Sequence, residues 1–205
     1  MGKLVVSTFV TLDGVMQAPG GPNEDRDGGF EHGGWSFPYA DEDMGRIMDE
    51  QFAGMEALLL GRRTYEIFAA HWPRVTDETD PVASRLNEMP KHVASRTLDT
   101  VTWNNSHLIR GDLAEAVTEL KQRYDGEINV QGSSNLIQSL QRHDLVDEYR
   151  LFIDPVVLGT GKRLFAEGTP PAAMRLTGAQ PTGVGAVYCT YERAGRPTYG
   201  SFELA

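Results

Sequence analysis

The sequence holds one cysteine, Cys189, in 205 residues. No intrachain disulfide can form, and a reducing compartment, the cytoplasm, is expected. The five histidines, His32, His71, His92, His107 and His143, are scattered and show neither H-x₃-H nor HExxH spacing, so no metal site is expected. No apolar run reaches the ~18 residues of a membrane span. The N-terminal MGKLVVSTFV lacks the long apolar region and small-residue cleavage site of a signal peptide. Basic residues are few, 19 Lys and Arg against 29 Asp and Glu, for a formal net charge of −10. A nucleic-acid binder needs a basic footprint, so the balance argues against that class. It leaves room for an anionic small ligand, because a local cluster of arginines outweighs distant, screened charge.

What is present reads as an ordinary soluble domain, with 40% hydrophobic and 23% charged residues. One domain over residues 1–205 is expected, long enough to bury a core without staples. Lys3 to Val10 reads as a buried strand. Thr11 to Phe37 is dense in Gly and Pro and reads as a long loop of functional character. Its closing aromatics, Trp35, Phe37 and Tyr39, imply partial ordering and are candidates for an apolar wall. Asp41 to Met55 has helical spacing, with Asp41 as N-cap. Ala57 to Leu60 is a strand and Thr64 to Ala70 a helix. Ser84 to Met89 is a short helix, and Lys91 to Ala94 and Val101 to Asn104 are strands. Asp112 caps an amphipathic helix from Leu113 to Tyr124, which Gly126 closes. Glu127 to Gln131 is a strand, Ser134 to Arg142 a helix, and Tyr149 to Val157 a strand. Met174 to Pro181 and Ala186 to Glu192 form a hairpin around Thr182-Gly183-Val184-Gly185. Alternating strands and helices imply an α/β fold, a mostly parallel sheet with helices on both faces and an antiparallel hairpin at the end.

Three segments place a strand before a Gly- or Ser-containing turn. In Leu58 to Glu66, Gly61 allows close backbone approach, and Arg62, Arg63 and Thr64 open a helix. The alternative is a surface helix that happens to start with two arginines, a mildly unfavourable arrangement at a positive helix end. In Val93 to Thr97, Ser95 and Arg96 follow a strand and suit a phosphate, or are simply a polar turn. In Ile128 to Leu136, Gly132, Ser133, Ser134 and Asn135 open another helix, as an anion site or as a plain cap in which the Ser-Ser pair caps the helix. None of these is the G-x-G-x-x-G fingerprint. Together, on the C-terminal edge of a parallel sheet, they suit a dinucleotide. Several arginines favour the 2′-phosphorylated form.

Four segments carry a family resemblance: Ser7-Thr8-Phe9-Val10-Thr11-Leu12-Asp13-Gly14, Leu60-Gly61-Arg62-Arg63-Thr64-Tyr65-Glu66, Val130-Gln131-Gly132-Ser133, and Asp147 through Phe165 with its Asp154-Pro155-Val156-Val157-Leu158-Gly159-Thr160-Gly161-Lys162 centre. In these the chain resembles the dihydrofolate reductase superfamily, and most closely the C-terminal reductase domain of the bifunctional riboflavin-biosynthesis deaminase-reductase and its stand-alone relatives. The resemblance implies a dihydrofolate-reductase-like fold with an eight-stranded mixed sheet and NADPH as hydride donor. By motif, Arg62, Arg63 and Thr64 meet cofactor phosphates, Ser95 and Arg96 lie near the 2′-phosphate, and Gly132 to Asn135 meet the pyrophosphate. The loop after Asp13-Gly14 covers the nicotinamide as a lid.

The implied activity is a reductase of a small heterocyclic or ribosylated substrate, in the riboflavin branch 5-amino-6-(5-phosphoribosylamino)uracil reductase. A dihydrofolate or pterin reductase, or a non-catalytic ligand-binding protein of the same fold, are the alternatives. Gly-Ser-Ser stands where dihydrofolate reductases usually carry Gly-Gly, which favours the riboflavin branch. A homodimer is implied as well. Two carboxylates are candidates for the proton path: Asp13, at the end of the first strand, and Asp41, where dihydrofolate reductases carry their substrate-binding acid, with Asp43 competing. Each has a structural alternative, a turn for Asp13 and a cap for Asp41.

Overall fold

A computed structural model describes residues 1–76 and 80–202. The expected unit over 1–205 therefore includes residues 77–79 and 203–205, which lie outside the described residues.

The order is β1 (Lys3–Thr11), α1 (Glu42–Gly54), β2 (Met55–Gly61), α2 (Arg62–His71), α3 (Pro81–Glu88), β3 (Lys91–Ala94), β4 (Ser106–Ile109), α4 (Leu113–Arg123), β5 (Glu127–Val130), α5 (Ser134–Arg142), β6 (Glu148–Asp154), β7 (Met174–Pro181) and β8 (Val187–Arg193). The strands form one eight-stranded sheet, ordered β4-β3-β2-β5-β1-β6-β8-β7. The strands from β4 to β6 run parallel, and β8 joins antiparallel between β6 and β7. This is the dihydrofolate-reductase-like arrangement that the sequence motifs implied.

The central strands are apolar on both sides, as strands covered by helices on both faces must be. Leu4, Val6, Ile128 and Val130 pack under Val117 and Leu120 of α4 and Leu136, Ile137 and Leu140 of α5. On the other side, Phe52, Met55, Leu58, Leu60 and Tyr65 form a second core with Leu86 and Trp103. Caps set the helix starts. Asp41 Oδ1 accepts from the Met44 amide at 2.9 Å, and Asp112 Oδ1 from the Ala114 and Glu115 amides at 2.8 and 2.9 Å. Each bond satisfies a donor that the first helical turn leaves unpaired.

The long loop is packed. Trp35 is buried with Val15, Ala18 and Phe30, and its Nε1 donates to the Gln17 carbonyl at 2.7 Å. Phe37, by contrast, is exposed, and Tyr39 half-buried.

Four expectations are corrected. Val101 to Asn104 is not a strand. The Thr102 and Trp103 amides donate to the Tyr65 hydroxyl at 2.8 and 3.1 Å, and Trp103 Nε1 donates to Asn87 Oδ1 at 2.8 Å. This segment anchors the α2–α3 face, and Asn105, at φ 55°, turns the chain into the real strand, β4. The strand expected from Tyr149 to Val157 ends at Asp154, because Pro155 offers no amide to continue the ladder. Helix α2 begins at Arg62 rather than Thr64. Gly126 does not close α4; Tyr124 leaves the helix in extended conformation, and the Gly126 amide donates to Glu56 Oε2 at 2.9 Å.

Candidate active site

Strands β2 and β5 end at the same edge of the sheet; β2 passes directly into α2, and β5 reaches α5 through the short turn 131–133. The Gly61 amide donates to the Gly132 carbonyl at 3.3 Å, so the two turns touch. A side chain at either glycine has no room. A Cβ on Gly61 would lie 2.5 Å from Ser133 Oγ, and one on Gly132 would lie 2.5 Å from Thr64 Oγ1. Gly132 also sits at φ 147°, outside the ordinary range of other residues. The turns are thus fitted into one another. As a result the N-termini of α2 and α5 converge, both with unpaired amides and partial positive charge.

The Ser133 hydroxyl does not cap its own helix, contrary to the expected Ser-Ser cap. It accepts from the Thr64 amide at 3.2 Å and lies 3.1 Å from Thr64 Oγ1. It therefore serves the neighbouring helix and ties the two N-termini together.

These turns open onto a cleft of about 510 Å³ between α1, the long loop and the sheet edge. Arg62, Arg63, Thr64, Gly132, Ser133, Ser134 and Asn135 all line it. Arg62 pairs with Glu66 at 3.4 Å, and Arg63 reaches across to Asp27 of the loop at 2.8 Å. Gly61 sits just behind, as the contact between the turns. Ser95 and Arg96 do not line the cleft. They follow β3, whose last residue, Ala94, is the register partner of Gly61, so they leave the sheet on the same edge one strand away. Ser95 Oγ is engaged in a turn, accepting from the Thr97 and Leu98 amides at 3.2 and 3.0 Å. Arg96 is exposed and has no ion pair among the described residues.

The structure gives Asp13 and Asp41 other work. Neither lines the cleft. Asp13 accepts from the Thr11 hydroxyl at 2.6 Å and from the Leu158 and Gly159 amides at 3.2 and 2.9 Å, with Arg163 beside it at 3.3 Å. The Thr11 hydroxyl first, then the two amides, hold its carboxyl down at about 2. A carboxylate so stabilised cannot donate a proton near neutral pH; it fastens the 158–163 turn to the end of β1. Asp41 caps α1, and Asp43 pairs with Arg46 at 3.3 Å.

Several cleft residues were not singled out by the motifs. Lys162 lines the cleft and pairs with Asp25 and Asp27 at 2.5 and 3.0 Å. Gln17 locks that arrangement. Its Nε2 donates to the Asp25 and Asp27 carbonyls at 3.1 and 3.0 Å, and its Oε1 accepts from the Lys162 amide at 3.0 Å. Under α1, Phe9 and Phe152 stack with centroids 5.2 Å apart, flanked by Met44, Met48, Gln51 and Phe52. Asp154, at the end of β6, is fully buried, and neither carboxylate oxygen has a hydrogen-bond partner among the described residues. Burial pushes its carboxyl up to about 6, and the Ser36 hydroxyl, which lines the cleft, faces it. Among the described residues no group of three or more His, Cys, Asp or Glu could hold a metal, and no helix is long and apolar enough to cross a membrane.

Comparison with known proteins agrees with this fold. The model of the RibD C-terminal domain matches residues 2–188. The uncharacterized protein YyaP of Bacillus subtilis is 28% identical over 191 residues, covering 92% of this chain and 94% of that protein. A protein from Shewanella sp. PV-4 assigned to riboflavin biosynthesis superposes with a TM-score of 0.70 at 21% identity, covering 94% of this chain and 99% of that one. A dihydrofolate reductase from Enterococcus faecalis, complexed with NADP(H) and RAB-propyl, superposes with a TM-score of 0.59 at 14% identity, covering 93% and 96%.

Proposed function

Since this chain belongs to the RibD C-terminal domain family, we propose that it is an NADPH-dependent reductase acting on a small heterocyclic substrate. The observation that carries this reading is the convergence of the α2 and α5 N-termini, with Arg62 and Arg63, on one cleft. That donor set fits a dinucleotide: helix N-termini bind phosphate through backbone amides, and guanidinium groups add charge-assisted bonds. The fold is shared with a dihydrofolate reductase complexed with NADP(H), which supports the same choice.

In this reading Arg62, Arg63, Thr64 and the Ser133, Ser134 and Asn135 turn hold the phosphates. Arg96, which has no ion pair among the described residues, reaches the 2′-phosphate, with Ser95 shaping its turn. The bound nicotinamide supplies the hydride. The chain's residues supply the rest. Phe9, Phe152 and the α1 methionines line the cleft with apolar side chains that exclude water. Asp154 holds a proton behind Ser36, whose hydroxyl passes it to the reduced heteroatom in the cleft. The long loop, packed through Trp35 and tied down through Gln17 and Lys162, covers the site. A single domain, a homodimer and a cytoplasmic setting belong to the same reading; light scattering at twice the chain mass checks the dimer.

The test is NADPH consumption with a panel of small ring acceptors, followed by absorbance. The reading expects acceptor-dependent oxidation of NADPH, faster below pH 6 than above it and with that pH dependence lost in Asp154→Asn. Tight NADPH binding without turnover on any acceptor supports a ligand-binding protein of the same fold instead.

A further inference from the structure

We propose that Thr182 is the positioning residue for the Asp154 proton: the two side chains hold one water between them at the end of the sheet, and through it Asp154 is recharged from the β7–β8 turn. The inference rests on the proton-donor role of Asp154 in the reductase reading and supplies the return path that this role needs. Asp154 is fully buried and Thr182 is 7% exposed. Asp154 Oδ1, Asp154 Oδ2 and Thr182 Oγ1 are all buried without a hydrogen-bond partner among the described residues. Oxygens left so are costly unless something completes them.

The sheet puts these oxygens on one row. Ile153 of β6 and Pro181 of β7 both register with Val187 of β8, and the Thr182 amide donates to the Ala186 carbonyl at 2.8 Å. Asp154, Ala186 and Thr182 are therefore neighbours across three strand ends. By alternation they share the α1 side of the sheet with Phe152 and Tyr188, whose rings pack with centroids 4.9 Å apart. Two strand spacings set the outer backbones about 10 Å apart. The residue between them is only an alanine, which leaves a gap of the order of one water between carboxylate and hydroxyl. A water there has the polar partners that a buried water needs.

The row leads outward at both ends. On one side Asp154 faces Ser36, which lines the cleft. On the other, Thr182 opens the exposed turn 183–185. Asp41 and Asp43, at the start of α1, flank that turn: a Cβ on Gly183 would lie 3.3 Å from Asp41 Oδ2 and 4.0 Å from Asp43 Oδ2. Asp13, beyond the end of β1, is engaged by Thr11, Leu158, Gly159 and Arg163, and the Tyr188 phenol by Thr190. None of these groups is bonded to Asp154. Each reduction takes one proton from Asp154 through Ser36 and leaves a carboxylate. The carboxylate takes a proton from the water, the water takes one from the Thr182 hydroxyl, and the hydroxyl takes one from solvent at the turn. The net uptake is one solvent proton per turnover, and it proceeds while the loop covers the cleft.

Melting midpoints from pH 4 to 8 and stopped-flow reduction, on Thr182→Val and Thr182→Ser, test this. Removing the hydroxyl withdraws a donor from the ionised carboxyl, so the Asp154 transition in Thr182→Val should move to higher pH by about half a unit or more. Thr182→Ser should restore the wild-type profile, and in an Asp154→Asn background Thr182→Val should shift nothing. With NADPH and the best ring acceptor of the panel, Thr182→Val should keep the first turnover and slow later ones about tenfold or more. An Asp154 transition at the wild-type pH in Thr182→Val, or a first turnover slowed as much as later ones, overturns the inference. If no acceptor is reduced, the reductase reading falls, and the melting profiles alone decide whether Thr182 and Asp154 are linked.

Discussion

Thr64 and Ser133 stand 69 residues apart in the chain and bring their hydroxyl oxygens to 3.1 Å. This contact, with the Thr64 amide on Ser133 Oγ, fixes the N-terminus of α2 against that of α5. The two helices point their unpaired amides at one place because these turns interlock.

Substitutions at the interlock should therefore act on nucleotide affinity. Thr64→Val removes the hydroxyl pair and should cost about 1 kcal/mol of stability, with NADPH binding weakened about tenfold. Gly132→Ala should be worse. Its Cβ would press on Thr64 Oγ1 at 2.5 Å, and the backbone sits at φ 147°. A penalty of roughly 1–3 kcal/mol is expected for such strain. Denaturant melts and fluorescence titration check both.

Asp27 should restrain cofactor binding. Its carboxylate pairs with Arg63 and Lys162, the cations that an incoming phosphate needs. Asp27→Asn should tighten NADPH binding severalfold at low salt. The gain should shrink as ionic strength rises, since exposed pairs are screened. A titration series in salt reads this directly.

Asp154 should make stability fall as pH rises from about 4 to 6. Its folded-state value is raised to about 6, from 3.8, by burial. The folded protein therefore binds the proton more tightly than the unfolded chain does. Stability from this group is fully present below pH 3.8 and is lost as pH climbs through 6. At about 1.4 kcal/mol per unit, the loss approaches 3 kcal/mol as an upper bound. Asp154→Asn should flatten this slope, seen as a melting midpoint that no longer drops across that window.

Asp13 should show the opposite sign. The Thr11 hydroxyl and the amides of Leu158 and Gly159 hold its carboxyl at about 2. Its contribution is present above the ordinary carboxylate range and is lost as pH falls through 2. Asp13→Asn should lower stability at neutral pH and lose less on acidification than wild type. Its effect on hydride transfer should be indirect, through loosening of the 158–163 turn that carries Lys162.

Much of this architecture was legible in the sequence where one signal dominated. The apolar run of β1, the capped amphipathic α4 and the Thr182–Gly185 hairpin each had a single physical reading. The Gly61 and Gly132 turns were legible because each combined a strand end, a glycine and a helix start. What stayed hidden depends on closure. Val101 to Asn104 is apolar enough for a strand, yet Trp103 and the Tyr65 hydroxyl claim its backbone. Lys162 stood inside a recognised segment, but only folding brings it to Asp25 and Asp27. Asp13 and Asp41 were plausible acids by position. Local hydrogen bonds, invisible to spacing alone, committed both to structural tasks. Asp154 gave no sequence signal, since its significance lies in being buried with no hydrogen-bond partner among the described residues.

The central claim is that the converging turns hold a 2′-phosphorylated dinucleotide. Fluorescence titration with NADPH and NADH, on wild type and on Arg62→Ala and Arg96→Ala, tests it most directly. The account predicts preferential binding of NADPH. Arg62→Ala should weaken both nucleotides, and Arg96→Ala should erase most of the preference. Absence of binding by either nucleotide, or equal affinities that neither substitution changes, would contradict it.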